Sequence, residues 1–148
     1  MAERKPHLLL VEAPYYAHIA ALLREGAEKV LAAAGATFET LQVPGAFEIP
    51  GAIGMAATAG EFDGFIALGC VIRGETTHYD HICEETAHWL QVLAVDDGLA
   101  IGYGILTCEN EAQALARAAS GGRDHGGAAA RACLAMVEVK RRFARERQ

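Results

Sequence analysis

The chain has 148 residues, 52% of them hydrophobic, and a formal net charge of −6. These values predict a single globular domain spanning residues 1–148 and exclude a disordered chain. No apolar run approaches the roughly 20 residues that a membrane helix needs, and the charged N-terminus lacks the apolar core of a signal peptide. We therefore expect a cytoplasmic protein with no membrane partner.

The charge is distributed unevenly along the chain. Residues 140–148 carry five cations and one anion, a net charge of +4. Since the whole chain has a net charge of −6, residues 1–139 carry −10. An acidic body argues against a general nucleic-acid-binding surface. We interpret the basic end as cations in the last turns of a final helix, where positive charge suits the helix dipole.

The four cysteines are widely spaced and form no CxxC pair. A chain long enough to build its own core has little need of a disulfide framework. We therefore expect free, buried thiols at Cys70, Cys83, Cys108 and Cys133.

Apolar periodicity and turn residues divide the chain into alternating strands and helices. Short apolar runs predict strands, and apolar residues that recur every three or four positions predict helices. In chain order, the predictions are strand 7–11, helix 19–34, strand 37–43, helix 49–59, strand 64–72, helix 79–95, strand 99–106, and helices 109–119 and 128–145, with a glycine-rich loop at 120–127.

This alternation predicts an α/β fold with a parallel sheet and helices on both faces. In such a fold the carboxyl ends of the strands share one edge of the sheet, and ligands bind there. Four segments should therefore converge by topology alone: residues 12–15, 44–48, 73–78 and 107–109.

The stretch from Gly69 to His81 carries the densest run of reactive side chains, directly after an apolar strand. An imidazole titrates near neutral pH and passes protons in both directions, so we favour His78 for acid–base catalysis over a surface histidine that caps a helix. His78, His81 and Cys83 do not follow a standard metal-ligand spacing, so no metal site is expected.

Cys70 lies eight residues before His78 in an apolar strand. A Cys–His nucleophilic pair is one alternative, but a thiol in such a strand is better explained as a core residue with a raised pKa. Only Lys5, Lys29 and Lys140 are present, and none falls in a strand-end loop. If carbonyl–amine chemistry occurs here, the amine should therefore come from a substrate.

Other residues suggest what a ligand would contain. Arg117 with the hydroxyls of Thr76 and Thr77 could hold an anion such as phosphate, although a solvated helix residue is the simpler explanation of the arginine. Phe47 could stack on a heterocycle, and Glu48 could accept hydrogen bonds from hydroxyl or ring N–H groups.

Two further aromatic residues, Tyr15 and Tyr103, are expected at the ends of the first and fourth strands. There they could add to the aromatic surface that Phe47 offers a ligand. Arg73 could be a structural cation that pairs with a neighbouring loop. Neither GxGxxG nor GxxxxGK[ST] is present, so the usual dinucleotide and triphosphate loops are missing.

Three long motifs in the expected order resemble the lumazine synthase family of riboflavin biosynthesis. They are VPGAFEIP at 43–50, GCVIRGETTHYD at 69–80 and GILTCEN at 104–110, and the similarity continues through 113–117. The resemblance covers nearly the whole chain. It implies a flavodoxin-like three-layer α/β/α sandwich with a four-stranded parallel sheet.

The resemblance also implies a condensation that needs no cofactor. The two small-molecule substrates would be 5-amino-6-(D-ribitylamino)uracil and 3,4-dihydroxy-2-butanone 4-phosphate. The pyrimidine amine would attack the ketone to give an imine, phosphate would leave, the ring would close and water would be lost, giving 6,7-dimethyl-8-ribityllumazine. This agrees with the scarcity of lysine, because the substrate brings its own amine.

The resemblance assigns roles to individual positions. His78 matches the proton-transfer residue, and the remaining positions match substrate contacts. On the pyrimidine and ribityl side these are Tyr15, Ala46, Phe47, Glu48, Cys70, Val71, Ile72 and, from a neighbouring subunit, Tyr103; on the phosphate side they are Glu75, Thr76 and Arg117.

Two positions depart from the family pattern. Tyr15 stands where the family often has phenylalanine, so stacking survives and the ring gains a hydroxyl. His125 stands where a lysine is common, which weakens one expected cation near the site at neutral pH.

The resemblance implies a homo-oligomer, a pentamer or a multiple of it, with sites between subunits and riboflavin synthase as a candidate partner. Two other functions stay open: a module that binds a flavin or lumazine without turnover, and a mainly structural shell. A phosphoacceptor receiver is disfavoured because only Glu12, and no acidic pair, follows the first strand.

Overall fold

A computed structural model describes residues 4–147 of the chain. The predicted order of strands and helices is confirmed, with one short 3-10 turn at Ala46–Glu48 in addition. In chain order the elements are β1 (His7–Glu12), α1 (Ala17–Ala33), β2 (Thr37–Gln42), α2 (Ile49–Ala59), β3 (Gly64–Ile72), α3 (His78–Asp96), β4 (Ile101–Cys108), α4 (Glu111–Ala118) and α5 (His125–Glu146).

The four strands form one sheet in the order β2-β1-β3-β4, and every neighbouring pair is parallel. β1 and β3 are the central strands and are almost entirely buried, whereas β2 is an edge strand with mostly exposed side chains. Parallel pairing places all four carboxyl ends at the same edge of the sheet, as predicted.

Successive strand residues alternate between the two faces of the sheet, and each face carries its own layer of helices. One face packs on α1, α4 and α5 through buried side chains such as Leu10, Leu23 and Cys133. The other packs on α2 and α3 through Val11 and Ile53, among others. This is the three-layer α/β/α arrangement of a flavodoxin-like fold.

α5 begins three residues earlier than predicted, at His125, inside the segment expected to be a loop. Its N-cap, Asp124, adopts a left-handed φ of 50° and accepts a hydrogen bond from the Gly127 amide at 3.1 Å. Gly126 lies against α1 so closely that a Cβ there would sit 2.0 Å from the Leu23 carbonyl oxygen. Glycines that signal a loop by composition serve here for close helix packing.

Three smaller differences separate the structure from the predictions. β4 runs two residues later than expected, so Tyr103 lies near its beginning and not at its carboxyl end. Trp89, which recurs at helical spacing with the apolar residues Ile82, Leu90 and Leu93 and is therefore predicted to be buried with them, is 50% exposed. Cys83 is only half-buried, whereas Cys70, Cys108 and Cys133 are buried as expected.

Within residues 4–147, none of the helices combines the length and hydropathy needed to cross a lipid bilayer. The basic end of α5 places Arg145 in its last turn, as predicted for a helix C-terminus.

Candidate active site at the carboxyl edge of the sheet

A cleft of about 480 Å³ opens at the carboxyl edge of the sheet. Three of the four predicted segments line it: the chain after β1, the chain after β2, and the end of β3 with the start of α3. Its lining residues are Tyr15, Tyr16, Gly45, Ala46, Phe47, Glu48, Cys70, Val71, Ile72, His78 and Ile82. The topology therefore gathers eight of the predicted site residues into one cavity.

The aromatic side of the cleft comes from the segments after β1 and β2. Phe47 is 58% exposed and Tyr15 is 77% exposed, so neither ring is tucked into the core. Tyr15 and Tyr16 pack edge to face, with ring centroids 5.0 Å apart. Exposed aromatic faces beside a concave surface are suited to stacking on a planar ligand.

Phe47 and Glu48 are held by the 3-10 turn that precedes α2. The Glu48 amide donates to the Gly45 carbonyl at 3.1 Å, and Pro50 follows in the first turn of α2, where its missing amide costs no hydrogen bond. The turn therefore directs one aromatic ring and one carboxylate toward the cleft mouth.

The end of β3 supplies the wall beneath these groups. Burial, reinforced by the neighbouring Cys108 thiol, raises the pKa of Cys70 to about 12. The thiol is therefore neutral at physiological pH and is no nucleophile. With Val71 and Ile72 it offers an apolar surface and the backbone groups of a strand end.

His78 is the first residue of α3, and its side chain is exposed. Its amide donates to the Thr76 hydroxyl at 3.3 Å, which shapes the tight approach to the helix. An exposed imidazole at the rim of a cleft can exchange protons with both a ligand and solvent.

The segment after β4 does not line the cleft, although it lies at the same edge. β4 is the outermost strand on its side of the sheet. Arg73, which follows β3, connects the segment after β4 to the start of α3. The Arg73 guanidinium donates to Glu109 at 2.9 Å, lies 3.5 Å from Asp80 and covers the Tyr79 ring at 4.4 Å. Arg73 is thus a structural cation that pairs with a neighbouring loop, as the sequence predicts.

Four predicted residues lie outside this cleft within one chain. Glu75 and Thr76 are exposed in the loop that leads to His78. Arg117 is in the last turn of α4 and donates to the Cys108 sulfur at 3.8 Å. Tyr103 lines a separate cleft of about 420 Å³ between α3 and β4.

Sequence reasoning missed two side chains of the cleft. Tyr16 directly follows Tyr15, and burial raises the pKa of its phenol above its ordinary value. Ile82 lies one helical turn after His78, and that i, i+4 spacing could have identified it.

A buried polar cluster beneath the cleft was also missed. The Glu12 carboxylate is 0% exposed and accepts hydrogen bonds from Arg24 at 2.8 and 3.0 Å and from Gln42 at 2.8 Å. These residues are 12 and 30 positions from Glu12, so no local motif reveals the contacts.

A second cleft, of about 510 Å³, lies at the opposite edge of the sheet between the end of α3 and the end of α5. Val95, Met136 and Phe143 are among its lining residues, and it contains neither an imidazole nor a thiol. It is marginally larger than the carboxyl-edge cleft, and its ionisable side chains are Asp96, Asp97, Lys140 and Arg147. Within residues 4–147, no three His, Cys, Asp or Glu side chains are grouped to hold a metal ion.

Comparison with known proteins identifies the family. The model of the family described as 6,7-dimethyl-8-ribityllumazine synthase matches residues 5–141. A 6,7-dimethyl-8-ribityllumazine synthase 1 of Rhizobium meliloti (strain 1021) is 51% identical over 153 aligned residues, covering 99% of this chain and 100% of the relative.

Two further relatives named 6,7-dimethyl-8-ribityllumazine synthase are equally similar. That of Agrobacterium fabrum is 52% identical and covers 94% of this chain and 97% of its own length. That of Sphingopyxis alaskensis is 51% identical and covers 93% of this chain and 96% of its own length. The chain therefore belongs to the 6,7-dimethyl-8-ribityllumazine synthase family and is a transferase of riboflavin biosynthesis.

Proposed function

We propose that the chain condenses 5-amino-6-(D-ribitylamino)uracil with 3,4-dihydroxy-2-butanone 4-phosphate to give 6,7-dimethyl-8-ribityllumazine, phosphate and water, the penultimate step of riboflavin biosynthesis. The observation that carries this proposal is the cleft in which Phe47, Glu48 and His78 meet. The relatives are named for the product of this reaction.

The pyrimidine substrate occupies the aromatic side of the cleft. Phe47 and Tyr15 stack on or flank the ring, and Glu48 accepts hydrogen bonds from the ribityl hydroxyls or ring N–H groups. Ala46, Cys70, Val71 and Ile72 form the floor and side wall, to which the strand end contributes backbone donors and acceptors. The support for these roles is that all of these residues line one cavity.

The chemistry proceeds without a cofactor or an enzyme-borne amine, since none of the residues lining the cleft is a lysine. The substrate amine attacks the ketone carbonyl, the carbonyl oxygen departs as water, and an imine forms. Phosphate leaves, the second nitrogen closes the ring, and a further water is lost. His78 passes protons between these oxygen atoms and solvent, while the cleft supplies proximity between the two reactants.

The phosphate group lies against Glu75, Thr76 and Arg117. Glu75 and Thr76 act through the loop that precedes His78, where backbone amides at a helix start favour an anion. Neither Arg117 nor Tyr103 lines the cleft of its own chain, and in this proposal both come from a neighbouring subunit. Sites shared in this way require a homo-oligomer, and we propose a pentamer or a multiple of it.

The surface of the subunit supports assembly. A groove of about 390 Å³ between α2 and α3 exposes Phe47 and Trp89, and Tyr103 is 46% exposed on β4. Apolar and aromatic patches of this kind are typical of surfaces that another chain covers. We also propose that residues 1–148 form one domain, that the protein is cytoplasmic and that riboflavin synthase is a partner.

Shared sites are testable by complementation. A His78→Ala subunit and an Arg117→Ala subunit are each expected to be poorly active alone. Co-assembled, they should recover a measurable fraction of wild-type activity, because some interfaces then carry both native residues. No recovery in verified mixed oligomers would contradict a site built from two subunits.

The main test is a turnover assay. Purified protein is mixed with both substrates, and the absorbance of the lumazine product is followed against a protein-free control. A catalysed rise supports the proposal. Tight binding of 6,7-dimethyl-8-ribityllumazine with no turnover would instead identify a binding protein, and an assembled particle with neither property would identify a structural shell.

A further inference from the structure

Among the residues that the structure describes, Glu12 carries the only buried carboxylate, and the proposed chemistry does not use it. It stands at the last position of β1, with none of its side chain exposed. A buried carboxylate is costly unless it is paired and hydrogen-bonded. Its presence directly below the proposed site therefore needs a physical account.

Three elements meet at this carboxylate. Arg24 of α1 donates from one nitrogen to both oxygens at 2.8 and 3.0 Å, and Gln42 at the end of β2 donates its amide to one of them at 2.8 Å. Arg24 is 35% exposed and also lies 3.7 Å from Glu28. The charge is thus partly neutralised by a cation that reaches solvent, and the second partner, Gln42, belongs to the edge strand β2.

The same cluster lies at the base of two segments that line the cleft. The Val43 amide donates to the Glu12 carbonyl at 2.9 Å, and the Ala13 amide donates to the Leu68 carbonyl at 2.9 Å. Tyr15 and Tyr16 follow Glu12 by three and four residues, and Gly45 follows Gln42 by three. The positions of both segments relative to β1 are therefore set where Glu12 and Gln42 meet.

We propose that Glu12 is a positioning residue for the pyrimidine side of the cleft, acting through Gln42 on the segment 43–48; this inference rests on the proposed function. Glu12 touches no ligand, because none of its surface is accessible. Buried ion pairs often stabilise a fold no better than apolar residues of the same size. Here, however, Oε1 of Glu12 accepts from both Arg24 and Gln42 while Oε2 accepts from Arg24 as well, so the acceptor-only carboxylate holds both donors at once.

The first experiment compares Michaelis constants. Glu12→Gln keeps the size of the side chain but turns an amide donor toward Arg24 or Gln42. We expect the KM for 5-amino-6-(D-ribitylamino)uracil to rise about tenfold, with kcat and the KM for the phosphorylated ketone within about threefold of wild type. Gln42→Ala, an exposed side chain that does not line the cleft, should act in the same direction and decides the question if Glu12→Gln fails to fold.

A double variant provides the rescue. In E12Q/Q42E the acceptor and donor exchange places, so an amide oxygen at position 12 can still accept from Arg24 and its nitrogen can donate to the new carboxylate. The KM for the pyrimidine should return to within about threefold of wild type. Asp63→Asn is the matched control, since Asp63 pairs with Arg4 at 2.8 Å at the opposite edge of the sheet and should leave both KM values unchanged.

Amide hydrogen exchange gives a readout that does not depend on turnover. Glu12→Gln and Gln42→Ala should speed exchange about tenfold in residues 43–48 and leave the protected core of α5 unchanged. An equal rise throughout the chain would show a merely structural role and overturn the inference, as would unchanged exchange in 43–48 or an unchanged pyrimidine KM. If the wild-type protein shows no turnover, the proposed function fails, and exchange in 43–48 alone decides the positioning role.

Discussion

The two faces of the sheet are built differently. On the α1/α5 face, the two helices pack against one another and against the sheet through alanine, glycine and fully buried aliphatic residues such as Leu23. On the α2/α3 face, the buried cluster is smaller, and Met55, Trp89 and Tyr103 remain at least 46% exposed. Clefts open beside α3 on this second face.

The two faces therefore have different roles. The α1/α5 face buries enough apolar surface to define the fold within one chain. The α2/α3 face exposes rings and grooves that a folded monomer has no need to expose, and it adjoins the proposed active site. Substitutions on the two faces should therefore fail in different ways: loss of folding on the first, and loss of activity or assembly on the second.

The largest effect is expected from Gly126→Ala on the α1/α5 face. The added Cβ would lie 2.0 Å from the Leu23 carbonyl oxygen, and neither backbone can yield without separating α1 from α5. We expect the free energy of unfolding to fall by about 3 kcal/mol or more. Urea unfolding followed by circular dichroism measures it; a loss below about 1 kcal/mol would show that this packing is looser than described.

His78→Ala, at the start of α3, should affect rate and not stability. The imidazole is exposed, so the urea midpoint should stay at the wild-type value. Loss of proton transfer should lower kcat by roughly 10²-fold. His81→Ala is the matched control, because His81 is also exposed on α3 but does not line the cleft. An unchanged rate in His78→Ala would leave proximity as the main source of catalysis.

Alkaline pH should destabilise the α1/α5 face through Cys133. Burial raises the pKa of this thiol from 9.0 to about 12, so the folded state keeps a proton that the unfolded state loses above pH 9. Stability contributed by the neutral thiol is complete below pH 9 and is lost as the pH rises toward 12. The urea midpoint should therefore fall between neutral and alkaline pH, and this fall should be smaller in Cys133→Ala than in wild type.

Cys83→Ala provides the comparison from α3. Cys83 is half-buried, and its pKa is raised mainly by burial, but far more of it contacts solvent than of Cys133. Its substitution should change the alkaline loss of stability less than Cys133→Ala does. Equal effects of the two variants would mean that the faces do not differ in their exclusion of water.

The smallest effect is expected from Gly54→Ala on α2. The nearest atom to an added Cβ is a Leu93 methyl group at 3.9 Å, so the new methyl group fits without displacement. Alanine should stabilise the helix by up to about 1 kcal/mol relative to glycine. A glycine-to-alanine substitution would thus raise the free energy of unfolding at position 54 and lower it at position 126. A loss of stability at both glycines would refute the contrast between the faces.

Local patterns predicted most of the fold, because the apolar runs of β1 and β3 and the periodic helices express their burial directly in sequence. The misplaced start of α5 has a specific cause. Gly126 and Gly127 look like loop residues, and only the distance between α1 and α5 shows that they permit close packing. Such a requirement belongs to the assembled fold and not to any short window of the chain.

The candidate site could be predicted from the sequence because the carboxyl ends of the strands could be predicted. Three segments converge on the cleft, which lies at the ends of β2, β1 and β3, whereas the segment at 107–109 follows β4 on the far side of β3 and stays outside. Strand order is set by crossovers that local sequence does not encode. The contacts of Glu12 with Arg24 and Gln42 were hidden for the same reason, since they join residues on three elements.

Phe47 lines three separate clefts: the proposed substrate site, the groove beside Trp89, and a shallow depression over Met55. One ring cannot shift to suit an occupant of one cleft without reshaping the other two. The free energies of binding at these clefts are therefore coupled, and such coupling is reciprocal. Whatever covers the groove beside Trp89 alters affinity in the neighbouring cleft by the same factor that a ligand there alters the affinity of the cover.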